Sequence, residues 1–418
     1  MTLFIAGAAS KPKGEHKPMP DRPGVGTRFF EFLGLRKNIV GLLILTILVG
    51  LGERMAERFL PIYLLALGGG ILAVGTLNFF QNLLSAFSSY PAGWVTDKFG
   101  ARNSLLFYTL IAVLGYLLAA FAPHWIFVVV GAVLFLTWSA VSLPPAMSLV
   151  SKVMPFHKHT MGVALHSLVR RVPMALGPLL CGFFIGAFGE KDGIRFAFFL
   201  ALGLCLVGAA VLWALLSDAP KGHGKPIGSP FRLFKKMVPG MRRLLISDIL
   251  IRFCEQIPYP FVVIWCMKVI SQPISAFEFG TLTAIEMTTA FLVYLPIAHL
   301  ADKAGKRPFV LMTFVFFTAF PLGLYFSRSF GWLAAVFVLR GLKEFGEPAR
   351  KALILDLAPR DQKAGMFGLY YLLRDSVVAL AALGGAFLWA VSPELNLFAA
   401  TGFGLLGTLW FWLKGKEM

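Results

Sequence analysis

Two short motifs place an arginine three residues before a glutamate inside stretches that are otherwise apolar. They are Arg54 with Glu57 and Arg252 with Glu255. On a helix, side chains three positions apart lie on the same face, so each pair is able to form an ion pair. A carboxylate in such surroundings can bind and release a proton, and a guanidinium presents a planar fork that binds carboxylate or phosphate. The motifs therefore predict reversible binding of protons and anions.

More ionisable side chains lie in the same apolar stretches, where a charge at the centre of a bilayer costs at least ~2.5–3.5 kcal/mol. Such charges must face a cavity or a partner inside the protein. We predict that Glu53, Glu57 and Glu255 exchange protons, with Glu53 or Glu57 as the preferred carrier. The residues predicted to line a solute cavity are Arg54, Arg58, His166, Arg170, Arg252, Glu286, Arg340, Lys343, Glu344, Glu347, Arg374 and Asp375.

A second interpretation of these charges stays open. They could instead form structural ion pairs between helices, or reach the membrane surface with long side chains. This alternative is strongest for Arg171, Arg350 and Lys351, which lie nearer the ends of their spans. A polar strip at Asn78, Gln81, Asn82 and Ser85 has helical spacing and could contact either a solute or a neighbouring helix.

The composition requires a membrane around the elements that hold these residues. Of the 418 residues, 57% are hydrophobic and 14% are charged, whereas soluble domains have roughly 45–50% and about 25%. A helix needs ~20 apolar residues to cross ~30 Å of hydrocarbon. The predicted spans are 39–67, 72–96, 102–122, 125–150, 160–188, 194–216, 242–270, 276–300, 307–327, 330–357, 362–390 and 394–413. The predicted fold class is an all-α membrane protein with twelve transmembrane helices.

The formal net charge of +18 reflects topology. Lys and Arg concentrate on alternate loops, which follows the positive-inside rule and predicts cytoplasmic termini in an inner-membrane protein. We therefore expect the lipid bilayer, and no nucleic acid, as the partner of these charges. The first residues lack the basic region of a signal peptide, so 1–38 is interpreted as a cytoplasmic tail.

The sequence offers little support for an enzyme. It contains no nucleophile elbow, P-loop, zinc-protease pair or dinucleotide-binding glycine pattern. The four cysteines lie in apolar runs without metal-ligand spacing. We expect no cofactor, no metal and no catalytic residue.

The chain divides into two halves that resemble each other. A basic linker at 217–240 separates a six-helix bundle at 39–216 from a second at 241–413, and 414–418 forms a short cytoplasmic tail. Six residues of the first half each match a residue at the equivalent place in the second half. These pairs are Arg54 with Arg252, Glu57 with Glu255, Asp97 with Asp302, Pro155 with Pro359, His166 with Tyr370 and Arg170 with Arg374. Internal repeats of this kind are typical of transporter folds, whose substrate site lies between the repeats.

Two loops at equivalent places carry the most specific motif. The first reads Gly93-Trp-Val-Thr-Asp97-Lys98-Phe-Gly100-Ala-Arg102. The second reads Ala298-His-Leu-Ala-Asp302-Lys303-Ala-Gly305-Lys-Arg307. They resemble the loop between the second and third helices of the major facilitator superfamily. In that family the loop latches one conformation, which is the role the resemblance implies here. Ala101 and Ala298 depart from the family pattern.

The family resemblance also implies how the helices are arranged. Helices 1, 4, 7 and 10 of that fold line the central cavity, with helices 2, 5, 8 and 11 beside them, and nearly every buried charge of this chain falls on those helices. The segment Gly177-Pro178-Leu-Leu-Cys181-Gly182 is similar to a motif of proton-antiporting exporters in the family, with Cys181 in place of a glycine. A Gly-Pro kink that only allows helices to approach is the alternative.

We therefore expect a monomeric secondary active transporter that moves a small anionic or zwitterionic organic solute by alternating access, coupled to protons and directed outward. Cationic residues modestly outnumber acidic ones in the spans, which favours the anion. A facilitative carrier or anion exchanger without proton coupling is one alternative. A non-transporting membrane receptor or scaffold is another.

Overall fold

The computed structural model describes residues 37–143, 145–146, 149, 169–215, 234–359 and 363–415. These residues form helices and no strand. Nine of the helices that the described residues form are long and apolar enough to cross a membrane. The all-α membrane class is thereby confirmed, while the total of twelve spans stays a prediction.

The first half begins with a helix that breaks just after its charged turn. Its elements are α1 (Lys37–Glu57), α2 (Leu60–Ala66), α3 (Ile71–Phe99), α4 (Ala101–Ala120), α5 (Trp125–Leu136), α6 (Trp138–Val141) and α7 (Arg171–Leu215). The 45-residue α7 contains Gly189 at a φ of +84°, a non-helical value. The rings of Phe184 and Phe196 lie 4.9 Å apart across that point. The two arms of α7 are therefore neighbouring helices, which agrees with the predicted spans 160–188 and 194–216.

The second half contains two interrupted spans. Its helices are α8 (Pro239–Gln256), α9 (Val262–Ile264), α10 (Ala276–Ala304), α11 (Arg307–Phe326), α12 (Phe330–Leu342), α13 (Glu347–Leu357), α14 (Lys363–Val391) and α15 (Pro393–Lys414). The predicted span 242–270 agrees with a candidate membrane span at Pro239–Val269, but the helix in it is interrupted. The chain after α8 forms a 3₁₀ turn at Tyr259–Phe261, and a π turn at Trp265–Val269 follows α9. Pro258 and Pro260 lack the N–H that a helix needs, which accounts for the break.

The halves contact each other through α7 against α10 and α3 against α14. At the α7–α10 contact the backbones approach closely: a Cβ placed on Gly182 would lie 2.5 Å from the carbonyl oxygen of Ala276. The side chains of Glu190 and Lys268 form an ion pair between the halves at the same end of the molecule. We call this the closed end.

Replacing Gly182 by alanine should force α7 and α10 apart, because an added Cβ meets backbone that has no rotamer with which to yield. We expect a loss of about 1–3 kcal/mol of stability, the usual cost of overpacking, seen as a lower midpoint of thermal unfolding in detergent. Gly186 lies one turn away with open space around its Cβ position, so Gly186→Ala serves as the control and should unfold at or above the wild-type midpoint. Equal midpoints for the two variants would contradict this account of the contact.

Candidate functional site

A cavity of about 470 Å³ lies between the two halves, and pockets for small molecules measure about 300–1,000 Å³. Seven cationic and four acidic side chains line it. The cationic ones are Arg54, Arg58, Arg170, Arg171, Arg252, Lys343 and Lys351, and the acidic ones are Glu57, Glu255, Glu286 and Glu344. The structure thus brings most of the predicted cavity residues together, and it adds Arg171 and Lys351.

In the first half, the charged turn of α1 holds three groups in one row. The guanidinium of Arg54 forms an ion pair with Glu57 and lies 3.8 Å from the carboxylate of Glu53. Glu53 is only 2% exposed and accepts a 2.7 Å hydrogen bond from the hydroxyl of Ser139. Glu57 faces the cavity, whereas Glu53 is not among its lining residues. Arg54 therefore stands between one carboxylate at the cavity and one behind it.

The second half repeats this arrangement with an added lysine. Arg252 pairs with Glu255 at 2.5 Å, and the ammonium of Lys343 donates to the same carboxylate at 2.8 Å. Lys343 is the first residue of the break between α12 and α13, where the chain turns its side chain toward α8. Glu255 is thus bound by two cations, while Glu57 has one.

Glu286 on α10 sits among three cations from three separate parts of the chain. Its oxygens lie 3.3 Å from Arg340, 3.5 Å from Lys343 and 3.6 Å from Arg58. It is fully buried, and neither of its oxygens makes a hydrogen bond within the described part of the chain. Since Arg58 belongs to the first half, Glu286 joins the two halves by charge alone.

Tyr259, in the unwound segment after α8, is the most connected residue of the site. Its ring lies between two guanidinium groups, 5.1 Å from Arg58 and 5.6 Å from Arg340. Its hydroxyl donates a 3.2 Å hydrogen bond to Glu57. It also lines the small void toward the closed end, beside Val262. Tyr259 therefore separates the cavity from the closed end and contacts both halves.

Neutral polar groups complete the wall. Asn78, Gln81 and Asn82 line the cavity from α3, and Gln256 lines it from α8. The amide of Asn82 donates a 3.1 Å hydrogen bond to Gln256, another contact between the halves. Ser85, which the sequence groups with this strip, is not among the lining residues.

Arg171 makes a further contact between the halves. Its guanidinium lies 3.3 Å from the carboxylate of Glu344 and 4.7 Å from the ring of Tyr294 on α10. The adjacent Arg170 lines the same cavity but has no carboxylate within 4.0 Å among the described residues.

Several residues predicted for the cavity belong to a second, deeper cluster. The carboxylate of Asp248 accepts hydrogen bonds from Arg350, from Arg374 at 3.3 Å and from the hydroxyl of Tyr370 at 3.1 Å. Glu347 pairs with Arg350 at 2.6 Å, and Asp375 pairs with Arg374 at 2.7 Å. The structure does not bring Glu347, Arg374 or Asp375 to the cavity wall.

Arg340 is likewise buried behind the wall. It is 3% exposed and lies over the ring of Phe320 at 4.8 Å. His166 lies outside the residues that the structure describes.

The predicted latch loops are partly described. Gly100 and Gly305 both adopt positive φ, +86° and +87°, and each separates two helices. Lys98 lies 4.9 Å over the ring of Trp94, and Arg102 donates to the carbonyl oxygen of Trp213 at 2.8 Å. The contacts of Gly93, Asp97, Asp302 and Lys303 lie outside what the structure describes. The latch role of these loops, Arg307 included, stays a prediction.

The segment from Gly177 to Gly182 lies in the fifth predicted span, the first arm of α7, and is called the helix-5 motif below. It has a packing function in this structure. Gly177 abuts the backbone of Arg54 and Met55, and Gly182 and the carbonyl of Pro178 abut α10. These glycines bring α7 against the charged turn of α1 on one side and against the second half on the other.

Sequence reasoning missed Asp248 and Tyr259. Asp248 is an acid inside an apolar span, the same signal that identified Glu286. Tyr259 is flanked by Pro258 and Pro260, and two prolines inside a span indicate unwound backbone lining a cavity. The contacts of both residues with distant helices have no local signal.

A family model described as Major Facilitator Superfamily matches residues 42–271 and 244–418. The chain belongs to the major facilitator superfamily. This transporter family explains the apolar helices and makes the protein an integral, multi-pass membrane protein. A relative, an uncharacterized MFS-type transporter of Methanocaldococcus jannaschii, is 22% identical over 395 residues, which are 90% of this chain and 94% of that protein.

Solved structures of major facilitator proteins share the fold. A peptide transporter POT in complex with sulfate has a TM-score of 0.74 at 15% identity, covering 94% of this chain and 95% of its own. The nucleoside transporter NupG, as a point mutant, has a TM-score of 0.75 at 12% identity, covering 90% and 99%. A bacterial homolog of the human lysosomal transporter Spinster, inward-facing and unoccupied, has a TM-score of 0.66 at 14% identity, covering 90% and 97%.

Replacing Asp248 by asparagine should leave two buried guanidinium groups, those of Arg350 and Arg374, without their shared carboxylate. Removing one partner of a buried ion pair costs about 3–5 kcal/mol, so we expect a large fall in the thermal unfolding midpoint. Asp375→Asn is the matched control, because it removes a partner of the same Arg374 from a position that is 31% exposed. A fall as large in Asp375→Asn as in Asp248→Asn would show that the buried cluster is not what stabilises this half.

Proposed function

We propose that this protein is a proton-coupled secondary active transporter of a small organic anion, working as a monomer by alternating access. The observation that carries the proposal is the cavity between the halves, whose wall has seven cationic and four acidic side chains. Arginine is suited to carboxylate and phosphate groups. An anion in the cavity would offset the excess positive charge, whereas a cation would add to it.

Glu53 is proposed as the carboxylate that carries the proton. Its nearest cation is 3.8 Å away, while Glu57 and Glu255 each contact a guanidinium directly. The charge of Glu53 is therefore the least compensated of the three. Arg54 contacts Glu57 at the cavity wall and lies near Glu53 behind it, so a proton on Glu53 would change the charge that Arg54 presents to the cavity. Glu57 and Glu255 then act as the partners that hold Arg54 and Arg252 in place.

The electrostatics favour binding of proton and anion together. A negative charge in the cavity makes a proton on Glu53 more favourable, and a protonated Glu53 repels the anion less. Two ligands that bind together are carried in the same direction, which supports cotransport. Export by proton antiport, which the helix-5 motif predicts, is the second candidate. The packing of Gly177 against the charged turn of α1 supports it, because motion of α7 would reach Arg54 directly.

The contacts between the halves support an inward-facing state. The positive-inside rule assigns residues 98–102 and 303–307 to the cytoplasm, so the closed end, on the other side, would face the exterior. The inner membrane and cytoplasmic termini remain part of this proposal. Opening the closed end would require Glu57 to leave Tyr259 and Arg58 to leave Glu286. These are the contacts expected to exchange during alternating access.

Transport assays in proteoliposomes would test the coupling. With a panel of organic anions, cations and neutral compounds, we expect a pH gradient to drive accumulation of an organic anion in the compartment of higher pH. Accumulation in the more acidic compartment would favour antiport. A rate indifferent to the pH gradient would favour a facilitative carrier or exchanger, and no counterflow of any solute would favour a receptor.

Glu53→Gln should abolish accumulation driven by the pH gradient, because the amide cannot take up a proton. Counterflow exchange should persist within about threefold, since it needs no net proton movement. Glu394→Gln, at an exposed position in the first turn of α15, removes the same charge away from the cavity and should leave both measurements unchanged. Gradient-driven accumulation that survives in Glu53→Gln would exclude Glu53 as the carrier.

A further inference from the structure

Six of the seven cations in the cavity wall already have a carboxylate partner. Arg54 is paired with Glu57, and Arg252 with Glu255. The other four cations are also paired: Arg58 with Glu286, Lys343 with both Glu255 and Glu286, Arg171 with Glu344, and Lys351 with Glu347. Among the described residues, Arg170 has neither a carboxylate within 4.0 Å nor a hydrogen-bond acceptor. The segment 150–168, which leads into Arg170, contains no Asp or Glu.

We infer that Arg170 binds the carboxylate of the transported solute, and that this solute is a monocarboxylate whose other groups are uncharged. This inference rests on the proposed function and specifies its substrate. A partly buried guanidinium beside a second arginine is costly without a counter-charge. A site that is completed only when the solute arrives accounts for an arginine kept in that state.

The charge of the solute follows from the same pairing. Arg170 is the one cation of the wall without a carboxylate contact among the described residues, so the second negative charge of a dicarboxylate or a phosphate ester would have to compete with a carboxylate that is already paired. A zwitterion would need a free acid for its ammonium group, but all four acids that line the cavity are paired with cations. A single carboxylate is the charge that this wall accepts.

The rest of the solute should be neutral and polar. Gln81 lines the same cavity from α3, and its amide has no hydrogen bond to any residue in the described part of the chain. An amide offers both a donor and an acceptor, so it can bind a hydroxyl or amide group of the solute. A hydroxy acid or an N-acyl amino acid has this combination of groups.

The position of Arg170 also links the solute to the proton. Arg170 and Arg54 line the same cavity, and the guanidinium of Arg54 lies 3.8 Å from the carboxylate of Glu53. A carboxylate bound at Arg170 would add a negative charge close to Glu53, which favours a proton there. The two binding events would therefore reinforce each other.

Thermal stabilisation of the full-length protein by lactate, benzoate and N-acetylglycine tests the inference, because ligand binding raises the unfolding midpoint by mass action. The neutral amides of the three acids, and succinate and glycerol phosphate as dianions, complete the set. We expect at least one monocarboxylate to bind, with its amide and the dianions at least tenfold weaker.

Arg170→Gln should weaken binding of the carboxylate by about tenfold to a hundredfold, the range for losing a hydrogen bond to a charged group. Arg170→Lys keeps the charge but not the planar fork, so its affinity should lie between those of the wild type and Arg170→Gln. Arg328→Gln removes the same charge at an exposed position between α11 and α12, away from the cavity, and should weaken binding by less than threefold. If Arg170→Gln does not fold, Arg170→Lys against Arg328→Gln decides the question.

The inference is overturned if no carboxylate of the set stabilises the protein, or if amides or dianions bind as tightly as the monocarboxylate. It is also overturned if Arg328→Gln weakens binding as much as Arg170→Gln. Failure of the proposed coupling looks different: a carboxylate would bind in an Arg170-dependent way yet be transported without regard to a pH gradient. Conversely, gradient-driven transport of an uncharged solute that survives Arg170→Gln would uphold the coupling and end this inference.

Discussion

The hydrocarbon of a bilayer contains no counter-charge and no hydrogen-bond partner for a charged side chain, and the arrangement of the helices in this protein depends on that constraint. Each ionised group within a span must find its counter-charge inside the protein. Glu286 shows the result most clearly, since it is fully buried and surrounded by three cations from the turn after α1, from α12 and from the break that follows α12. The charged faces of the helices turn toward one another because they have no alternative, and the cavity forms where those faces do not fill the space.

The same contacts that satisfy these charges also join the halves. Tyr259 with Glu57, Arg58 with Glu286 and Arg171 with Glu344 each have one partner in either half. A transporter that reorients must break such contacts and replace them, so they have to be strong enough to close one end and weak enough to exchange.

Local spacing explains which contacts could be predicted. Arg54 with Glu57, and Arg252 with Glu255, follow from three-residue separation on one helix, and the structure places both pairs in contact. Positions inside apolar spans were enough to select Arg58, Arg170 and Glu286 for the cavity. The family motif and the apolar runs were enough for the fold.

Contacts between distant helices could not be predicted in the same way. Nothing near Asp248 in the sequence indicates that Arg350 and Arg374 will surround it, and so Arg374 was assigned to the wrong cluster. The break at Pro258 and Pro260 determines where the ring of Tyr259 lies. If the span were one regular helix, nothing in the sequence would place Tyr259 at the cavity. Long-range packing decides these positions, and periodicity carries no information about it.

The neighbourhood of Arg170 and Glu53 has an electrical consequence. In the empty protein, Glu53 carries a negative charge and Arg170 a positive one. A monocarboxylate that binds at Arg170 together with a proton on Glu53 adds no net charge, so the loaded and empty forms carry the same total. Membrane voltage does work of ≈ 2.3 kcal/mol per 100 mV on a unit charge that crosses the full field, but here the work on the loaded form is cancelled by the work on the empty form that returns. Such a cycle is electroneutral, and its direction is set by the concentrations of solute and proton on the two sides.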